Sequence, residues 1–131
     1  MFLSRAQEVA LAALPHLDRS GPGGEGRGVK DLAEAAGVPA PFLQKVLGRL
    51  VDHGLLRSRR GRRGGFVLGR PAAEITLADI VLALGKKDDV EAAFRPLAGP
   101  AAPLFSRARR ELLDTLRATR LADIPLPPPR A

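Results

Sequence analysis

Guanidinium groups are concentrated in one short stretch of this 131-residue chain. Between Arg57 and Arg70 there are six arginines and no acidic residue, so this stretch carries a charge of +6, against a net charge of +7 for the whole chain. A planar guanidinium can bridge two phosphate oxygens, because its fork of N–H donors matches their spacing. Charge concentrated in this way indicates a polyanionic partner.

The arginine-rich stretch has the pattern of a β-hairpin. Two apolar runs, Leu55-Leu56 and Phe66-Val67-Leu68, flank a tip of glycine and arginine. Glycines tolerate positive φ and therefore favour such a tip. We predict a wing over residues 55–68, in which four arginines contact phosphate or the minor groove: Arg59, Arg60, Arg62 and Arg63.

Two short helices are predicted immediately before the hairpin. The first begins near Val29 and ends at Gly37, a residue suited to a left-handed C-terminal position. The second accepts Pro41 in its first turn and has an apolar face formed by Phe42, Leu43, Val46, Leu47, Leu50 and Val51. Such a pair is a helix-turn-helix, whose second helix lies in the DNA major groove. The other face presents the candidate DNA-contacting residues Pro41, Gln44, Lys45 and Arg49.

The remaining elements of residues 1–85 are predicted from capping patterns and glycines. Ser4 with Gln7 fits a capping box for a helix over residues 4–17, which Pro15 kinks or ends early. Thr76 with Asp79 predicts a similar start for a helix that stops before Gly85. The glycine-rich loop, residues 20–28, is predicted to be a flexible linker, because it lacks the Gly-Lys-Ser/Thr ending of a phosphate-binding loop.

Beyond residue 85 the pattern changes. Residues 86–103 are interrupted by proline and glycine and are predicted to be a connector and a possible sensor loop. A helix is expected over 104–121, followed by a disordered proline-rich tail over 122–131. The stripe on that helix could pack on its own domain or pair with a second copy, and we favour dimerisation through Phe105, Ala108, Leu112 and Leu116.

Several kinds of site are not expected. The chain has no cysteine, which excludes disulfides, thiolate metal sites and cysteine-held iron–sulfur clusters within it. Its two histidines, His16 and His53, have no carboxylate spacing that suggests a metal or a catalytic dyad. We therefore predict no catalytic residue, no metal and no cofactor. No apolar run approaches the ~20 residues that span a bilayer, so we expect a cytoplasmic protein without a membrane partner.

These residues resemble the Rrf2-type bacterial transcriptional regulators. The resemblance covers residues 3–85 and is most specific at the wing and at the segment that follows it. It is carried by Leu3-Ser4, Asp31-Leu32-Ala33, Gly37-Val38-Pro39, Phe42-Leu43, Val46-Leu47, Leu50, Gly54-Leu55-Leu56, Ser58-Arg59-Arg60-Gly61, Gly64-Gly65-Phe66-Val67-Leu68 and Ile75-Thr76-Leu77-Ala78-Asp79-Ile80-Val81.

The resemblance implies a dimeric repressor or activator, whose last long helix crosses that of the partner subunit. It also exposes departures from the family pattern. Cluster-binding members place cysteines before the dimerisation helix, whereas residues 86–105 contain neither cysteine nor histidine. Such members often carry an acidic residue where this chain has Gln44, so a different operator preference is expected. Arg62-Arg63 also makes the wing tip more basic than the family's usual Pro-Gly.

The predicted fold class is mainly α with a small β-hairpin wing: a winged helix-turn-helix over residues 1–85 plus a C-terminal dimerisation helix. The functional hypothesis is a homodimer that binds a pseudo-palindromic operator in double-stranded DNA, as a repressor, with an unknown small-molecule or protein effector acting on residues 86–103. Two alternatives stay open: a sequence-tolerant architectural nucleic-acid-binding protein, and an interaction module with a vestigial helix-turn-helix.

Overall fold

The computed structural model describes residues 3–61, 64–85 and 98–125. The wing-tip arginines Arg62 and Arg63, residues 86–97 of the predicted connector and residues 126–131 of the predicted tail lie outside this part of the chain. Within it, five α-helices accompany one two-stranded antiparallel sheet. The predicted fold class is confirmed.

The first helix begins with the predicted capping box. Helix α1 spans Arg5–Ala13. The Gln7 backbone N–H donates to Ser4 Oγ (3.2 Å), while the Ser4 backbone N–H donates to Gln7 Oε1 (2.8 Å). Two of the amides that a helix start leaves without intrahelical partners are thereby satisfied. Pro15 lies in the 3₁₀ turn Leu14–His16, where the α-helix has already ended, as predicted from its missing N–H.

Three further helices complete the DNA-binding half of the fold. Helix α2 spans Val29–Ala36, α3 spans Ala40–Asp52 and α4 spans Leu77–Leu84. They pack with α1 around a core built almost entirely of aliphatic side chains. Among the described residues, Gln7 is the one polar residue that is buried. Its Nε2 donates to the Val81 carbonyl (2.9 Å), and this bond links α1 to α4. The largest fully buried side chains are Leu14, Leu32, Leu43, Leu47, Leu50, Leu56, Leu68, Ile75, Ile80, Leu121, Val9 and Val46.

The predicted hairpin is present. Strand β1 (Leu56–Arg59) pairs antiparallel with β2 (Gly65–Leu68). Leu56 lies opposite Leu68, and both side chains are buried, so the base of the hairpin is part of the core. Gly54 turns the chain from α3 into β1 with φ of 76°, a value that favours glycine. The wing is therefore attached directly to the end of α3.

The glycine-rich loop is not the flexible linker that the sequence predicted. Arg27 forms an isolated antiparallel bridge with Phe66 of β2. The Asp18 carboxylate accepts the backbone N–H groups of Glu25 and Ser20, each at 2.9 Å, and these bonds lower the pKa of Asp18. The prediction was wrong because the loop is held by backbone groups, of Ser20 and Glu25 nearby and of Phe66 far along the chain, and these leave no mark in residue type.

The C-terminal helix lies two to three residues earlier than predicted. Helix α5 spans Ala102–Ala118, rather than 104–121, and Pro103 is accommodated in its first turn. The residues after it return to the DNA-binding half, where the Leu121 backbone N–H donates to the Ile75 carbonyl (2.7 Å) and the Leu121 side chain is buried. No helix in the described residues is long and apolar enough to span a bilayer.

Residues 122–124 correct the predicted disordered tail. Ala122 and Asp123 belong to a 3₁₀ turn over Leu121–Asp123. The Arg19 guanidinium donates to the Ala122 carbonyl (2.7 Å) and to the Ile124 carbonyl. The described chain is therefore held against the α1–α2 connection as far as Ile124. The proline pattern gave no signal for these bonds, since both acceptors are main-chain carbonyls.

The second predicted capping box should make folding stability pH-dependent. Burial acts to raise the pKa of Asp79, but hydrogen bonds from Thr76 and the charge of Arg70 (2.9 Å) outweigh it, so the pKa lies below its ordinary value. A depressed carboxyl pKa contributes stability above the ordinary value, about 3.9, and loses it as pH falls through the folded-state pKa.

We therefore expect Asp79→Asn to weaken the fall in unfolding free energy between about pH 5 and pH 2. Urea unfolding at several pH values measures this, with Glu74→Gln as a control at an exposed carboxylate. Parallel curves for wild type and Asp79→Asn, separated by a constant offset, would contradict the assignment.

Candidate nucleic-acid interface

Helix α3 divides into a buried and an exposed face. Leu43, Val46, Leu47 and Leu50 are buried in the core. On the opposite side of the helix, four exposed positions lie within about one third of a turn of each other, because they are spaced three or four residues apart: Pro41, Gln44, Lys45 and Gly48. Gln44 offers both amide donors and a carbonyl acceptor, and Lys45 offers an ammonium. This face can make hydrogen bonds to base edges and phosphates.

The turn between α2 and α3 sets the orientation of that face. Gly37 adopts φ of 69° at the end of α2, and the Val38 backbone N–H donates to the Ala33 carbonyl (3.0 Å). These two features reverse the chain as a glycine C-terminal cap does. Pro39 then precedes α3, and the Leu43 backbone N–H donates to its carbonyl (3.0 Å). The N-terminal half of α3 is consequently presented outward.

Arg49, predicted as a DNA contact, lies at the edge of the exposed face. Its Nη2 donates to the Leu84 carbonyl at 2.7 Å, close to the C-terminal end of α4. This bond links α3 to the end of α4 and engages the guanidinium with a main-chain carbonyl. DNA contact by Arg49 stays a prediction, and its structural role is evident from this bond.

The described wing arginines differ in their surroundings. Arg57 and Arg60 are exposed, and the described residues provide neither side chain with a hydrogen bond or an ion pair. Arg59 is half-buried, and its Nη1 donates to the Gly24 carbonyl at 2.6 Å. Arg57 was missing from the predicted contacts, although its position in the arginine-rich stretch is itself a signal. The predicted partners Arg62 and Arg63 lie outside the described residues.

Gly48 stands in the middle of the exposed face of α3. A Cβ added there would meet nothing within 4 Å, so folding does not require glycine at this position. Since glycine within a helix costs about 0.5–1 kcal/mol relative to alanine, Gly48→Ala should raise the free energy of unfolding by about that amount. Urea unfolding tests this, and a destabilised Gly48→Ala would show that the helix surface is constrained in some other way.

Helix α5 exposes apolar side chains. Leu104 is 69% exposed, Phe105 58% and Leu112 37%, and no residue of the helix is buried. Ala108 is exposed and Leu116 half-buried, so the whole predicted stripe retains accessible surface in the single chain. Large apolar side chains grouped on one helix face mark an interaction surface.

The residues present do not suit an iron–sulfur cluster. The 131 residues include no cysteine, which is the ligand that such clusters chiefly use. Within residues 3–61, 64–85 and 98–125, no group of histidines and carboxylates is arranged to hold a metal ion.

Helix, glycine turn, outward-facing second helix and basic hairpin together define a winged helix-turn-helix DNA-binding protein. This chain belongs to the Rrf2 family: its residues 3–125 match the family model described as an iron-dependent transcriptional regulator. The resemblance drawn from residues 3–85 is confirmed. Family membership also confirms that the chain is a transcriptional regulator and not an enzyme.

Related proteins agree with this assignment. An HTH-type transcriptional regulator of Mycobacterium tuberculosis strain H37Rv is 34% identical over 131 residues, covering 95% of this chain and 81% of that protein. The HTH-type transcriptional regulator IscR of Photorhabdus laumondii is 36% identical over 59 residues, or 45% of this chain and 36% of IscR. The matched share of IscR is therefore limited to about a third of its length.

Solved structures show the same architecture. Staphylococcus aureus CymR superposes with a TM-score of 0.74 at 29% identity, covering 92% of this chain and 94% of CymR. CymR of Bacillus subtilis, described as its global cysteine regulator, gives a TM-score of 0.74 at 24% identity, with 92% and 93% covered. The latter similarity supports the fold alone.

Proposed function

We propose that this regulator binds a pseudo-palindromic operator as a homodimer and represses transcription in the cytoplasm, without an iron–sulfur cluster. The observation that carries the proposal is the exposed polar face of α3, which lies beside a wing whose exposed arginines have no partner in the described structure. In this arrangement α3 enters the major groove, and the wing contacts the flanking backbone.

Division of labour between the two surfaces follows from their chemistry. Gln44 pairs with adenine and Lys45 with guanine O6 or N7, which supplies sequence preference. Pro41 packs against the groove wall. Arg60, together with Arg62 and Arg63, neutralises phosphates and supplies affinity that depends on salt more than on sequence. Asp52, exposed at the far end of α3, disfavours phosphate there and leaves the N-terminal half as the reading end.

The homodimer is supported by α5. Its stripe of Phe105, Ala108, Leu112 and Leu116 is accessible in the single chain, and a two-fold contact through it would be self-complementary. Two recognition helices would then be spaced by about 34 Å, one turn of DNA, or a multiple of it.

Two further parts of the proposal concern signals. Without cysteine, this chain cannot report redox state or nitric oxide through a cysteine-held cluster. A small-molecule or protein effector that acts on residues 86–103 stays a prediction, since 86–97 lie outside the described residues. If deletion of residues 88–99 left operator affinity unchanged, the prediction of an effector acting there would be wrong.

Selection of bound fragments from the host genome by the purified chain, followed by footprinting, tests the proposal. We expect an inverted repeat whose half-sites lie one or two turns apart, upstream of a promoter that the protein silences in transcription assays. Fragments without a shared sequence would favour an architectural protein instead. Weak binding to every fragment would favour an interaction module.

A further inference from the structure

We propose that Arg59 is a positioning residue that fixes the wing against the glycine-rich loop, and that Arg57 and Arg60 are the described wing residues that contact phosphate. The inference rests on the proposed DNA-binding function. It separates neighbouring arginines that look equivalent in sequence, and it assigns the glycine-rich loop to the DNA-binding machinery.

The first observation is the environment of Arg59. Its side chain is half-buried at the end of β1, and Nη1 donates to the Gly24 carbonyl at 2.6 Å, across 35 residues of sequence. A charge-assisted bond to a carbonyl is stronger than one between neutral groups. The bond holds the Arg59 guanidinium at the loop, whereas the described residues give the side chains of Arg57 and Arg60 no such attachment.

The second observation is that the acceptor is itself held in place. Gly24 follows a turn in which its backbone N–H donates to the Gly21 carbonyl (2.9 Å). The Asp18 carboxylate fastens both sides of the turn through Ser20 and Glu25. A Cβ added at Gly24 would lie 2.6 Å from Asp18 Cγ, so this site is packed to the limit that glycine allows. The carbonyl that Arg59 meets is therefore a fixed point.

The third observation is that the same loop also pairs with the other wing strand. The Phe66 backbone N–H donates to the Arg27 carbonyl (2.7 Å), and the Arg27 N–H donates back to Phe66 (3.1 Å). Gly65 permits this approach, since a Cβ there would lie 2.3 Å from the Arg27 carbonyl oxygen. Arg27 Nη1 in turn donates to the His16 carbonyl at the end of the 3₁₀ turn (3.0 Å). Both strands of the wing are thus fastened to one loop, β1 by Arg59 and β2 by Arg27.

Salt dependence of DNA affinity distinguishes positioning from phosphate contact. Arg60→Ala should reduce the slope of log affinity against log salt by about 0.9, the effect of one lost phosphate contact, and Arg57→Ala should do the same. Arg59→Ala should leave the slope unchanged and lower affinity by about three- to tenfold at every salt concentration, because a loosened wing loses alignment rather than charge. A slope reduced in Arg59→Ala as in Arg60→Ala would overturn the proposal.

Two variants that remove no positive charge sharpen the test. Asp18→Asn deletes a negative charge, so simple electrostatics predicts tighter DNA binding. The positioning role predicts weaker binding, because the two loop N–H groups bond to different oxygens of Asp18 and asparagine replaces one of these oxygens by an NH₂ donor. Gly24→Ala leaves every charge in place and should also weaken binding with an unchanged slope. Tighter binding by Asp18→Asn, or wild-type affinity in Gly24→Ala, would count against the proposal.

A DNA-free measurement keeps this inference separate from the proposed function. Hydrogen exchange of the Phe66 amide should be faster in Arg59→Ala than in wild type and should match wild type in Arg60→Ala, because Arg59 bonds to the loop and Arg60 does not. If wild type shows no affinity for DNA, the proposed function fails, and the exchange result alone decides the role of Arg59. Equal exchange in Arg59→Ala and wild type overturns that role.

Discussion

Replacing Gln44 and Lys45 together by alanine should abolish operator preference while leaving the protein folded. Each well-formed pair between a side chain and a base is worth about 1–3 kcal/mol of discrimination, so the double variant should lose about 30-fold or more in specific affinity. Both side chains are exposed and make no hydrogen bond within the described chain, so the free energy of unfolding should change by less than about 0.5 kcal/mol.

The measurement is titration of the operator and of a scrambled duplex of equal length. Affinity for the scrambled duplex should fall only slightly, because the double variant removes a single positive charge, that of Lys45. Lys30→Ala is the matched control, because it removes one exposed lysine from α2 instead of α3. Lys30→Ala should reduce affinity for the operator and for the scrambled duplex by the same factor. An unchanged preference in the double variant would show that α3 does not read the sequence and would favour the architectural alternative.

Truncation of the α5 stripe should have the second large effect. Phe105 and Leu112 lie seven residues apart on one face and are both exposed in the single chain. If they form the centre of a two-fold interface, Phe105→Ala with Leu112→Ala should cost about 2–4 kcal/mol of association free energy or more. The dimer dissociation constant would rise by about 30-fold to 1,000-fold, and affinity for a two-half-site operator would fall with it.

Analytical ultracentrifugation across a concentration series measures this shift. Asp114→Ala is the control, since Asp114 lies on the opposite face of α5 and is exposed. The dimer dissociation constant of Asp114→Ala should equal that of the wild type. Because neither apolar side chain is buried in the single chain, unfolding stability should be little affected at concentrations where the protein is monomeric. A monomeric wild type, or an equal dissociation constant in the double variant, would contradict the homodimer.

The elements of the fold were predictable where local sequence determines local structure. Both helix-capping pairs, the left-handed Gly37 and the hairpin depend on residues close together in sequence, so residue types and spacing sufficed to locate them. The exposed face of α3 followed from helical periodicity in the same way.

What could not be predicted depends on main-chain carbonyls contributed by distant segments. Arg49 donates to Leu84, Arg59 to Gly24 and Arg19 to Ala122, across 35, 35 and 103 residues. Every residue carries a backbone carbonyl, so residue types and their spacing cannot predict which carbonyl accepts these bonds. The long-range contacts of the glycine-rich loop with Arg59 and Phe66, and the bonds that hold residues 122–124, were missed for the same reason.

The relative affinity of the purified protein for its selected inverted repeat and for a scrambled duplex, at about 0.15 M salt, tests the central claim most directly. A sequence-specific dimer predicts a ratio of about 10³ or more, with two chains bound per repeat. A ratio near one, with the wing arginines accounting for all of the affinity, would contradict the account and make the protein a sequence-tolerant DNA binder.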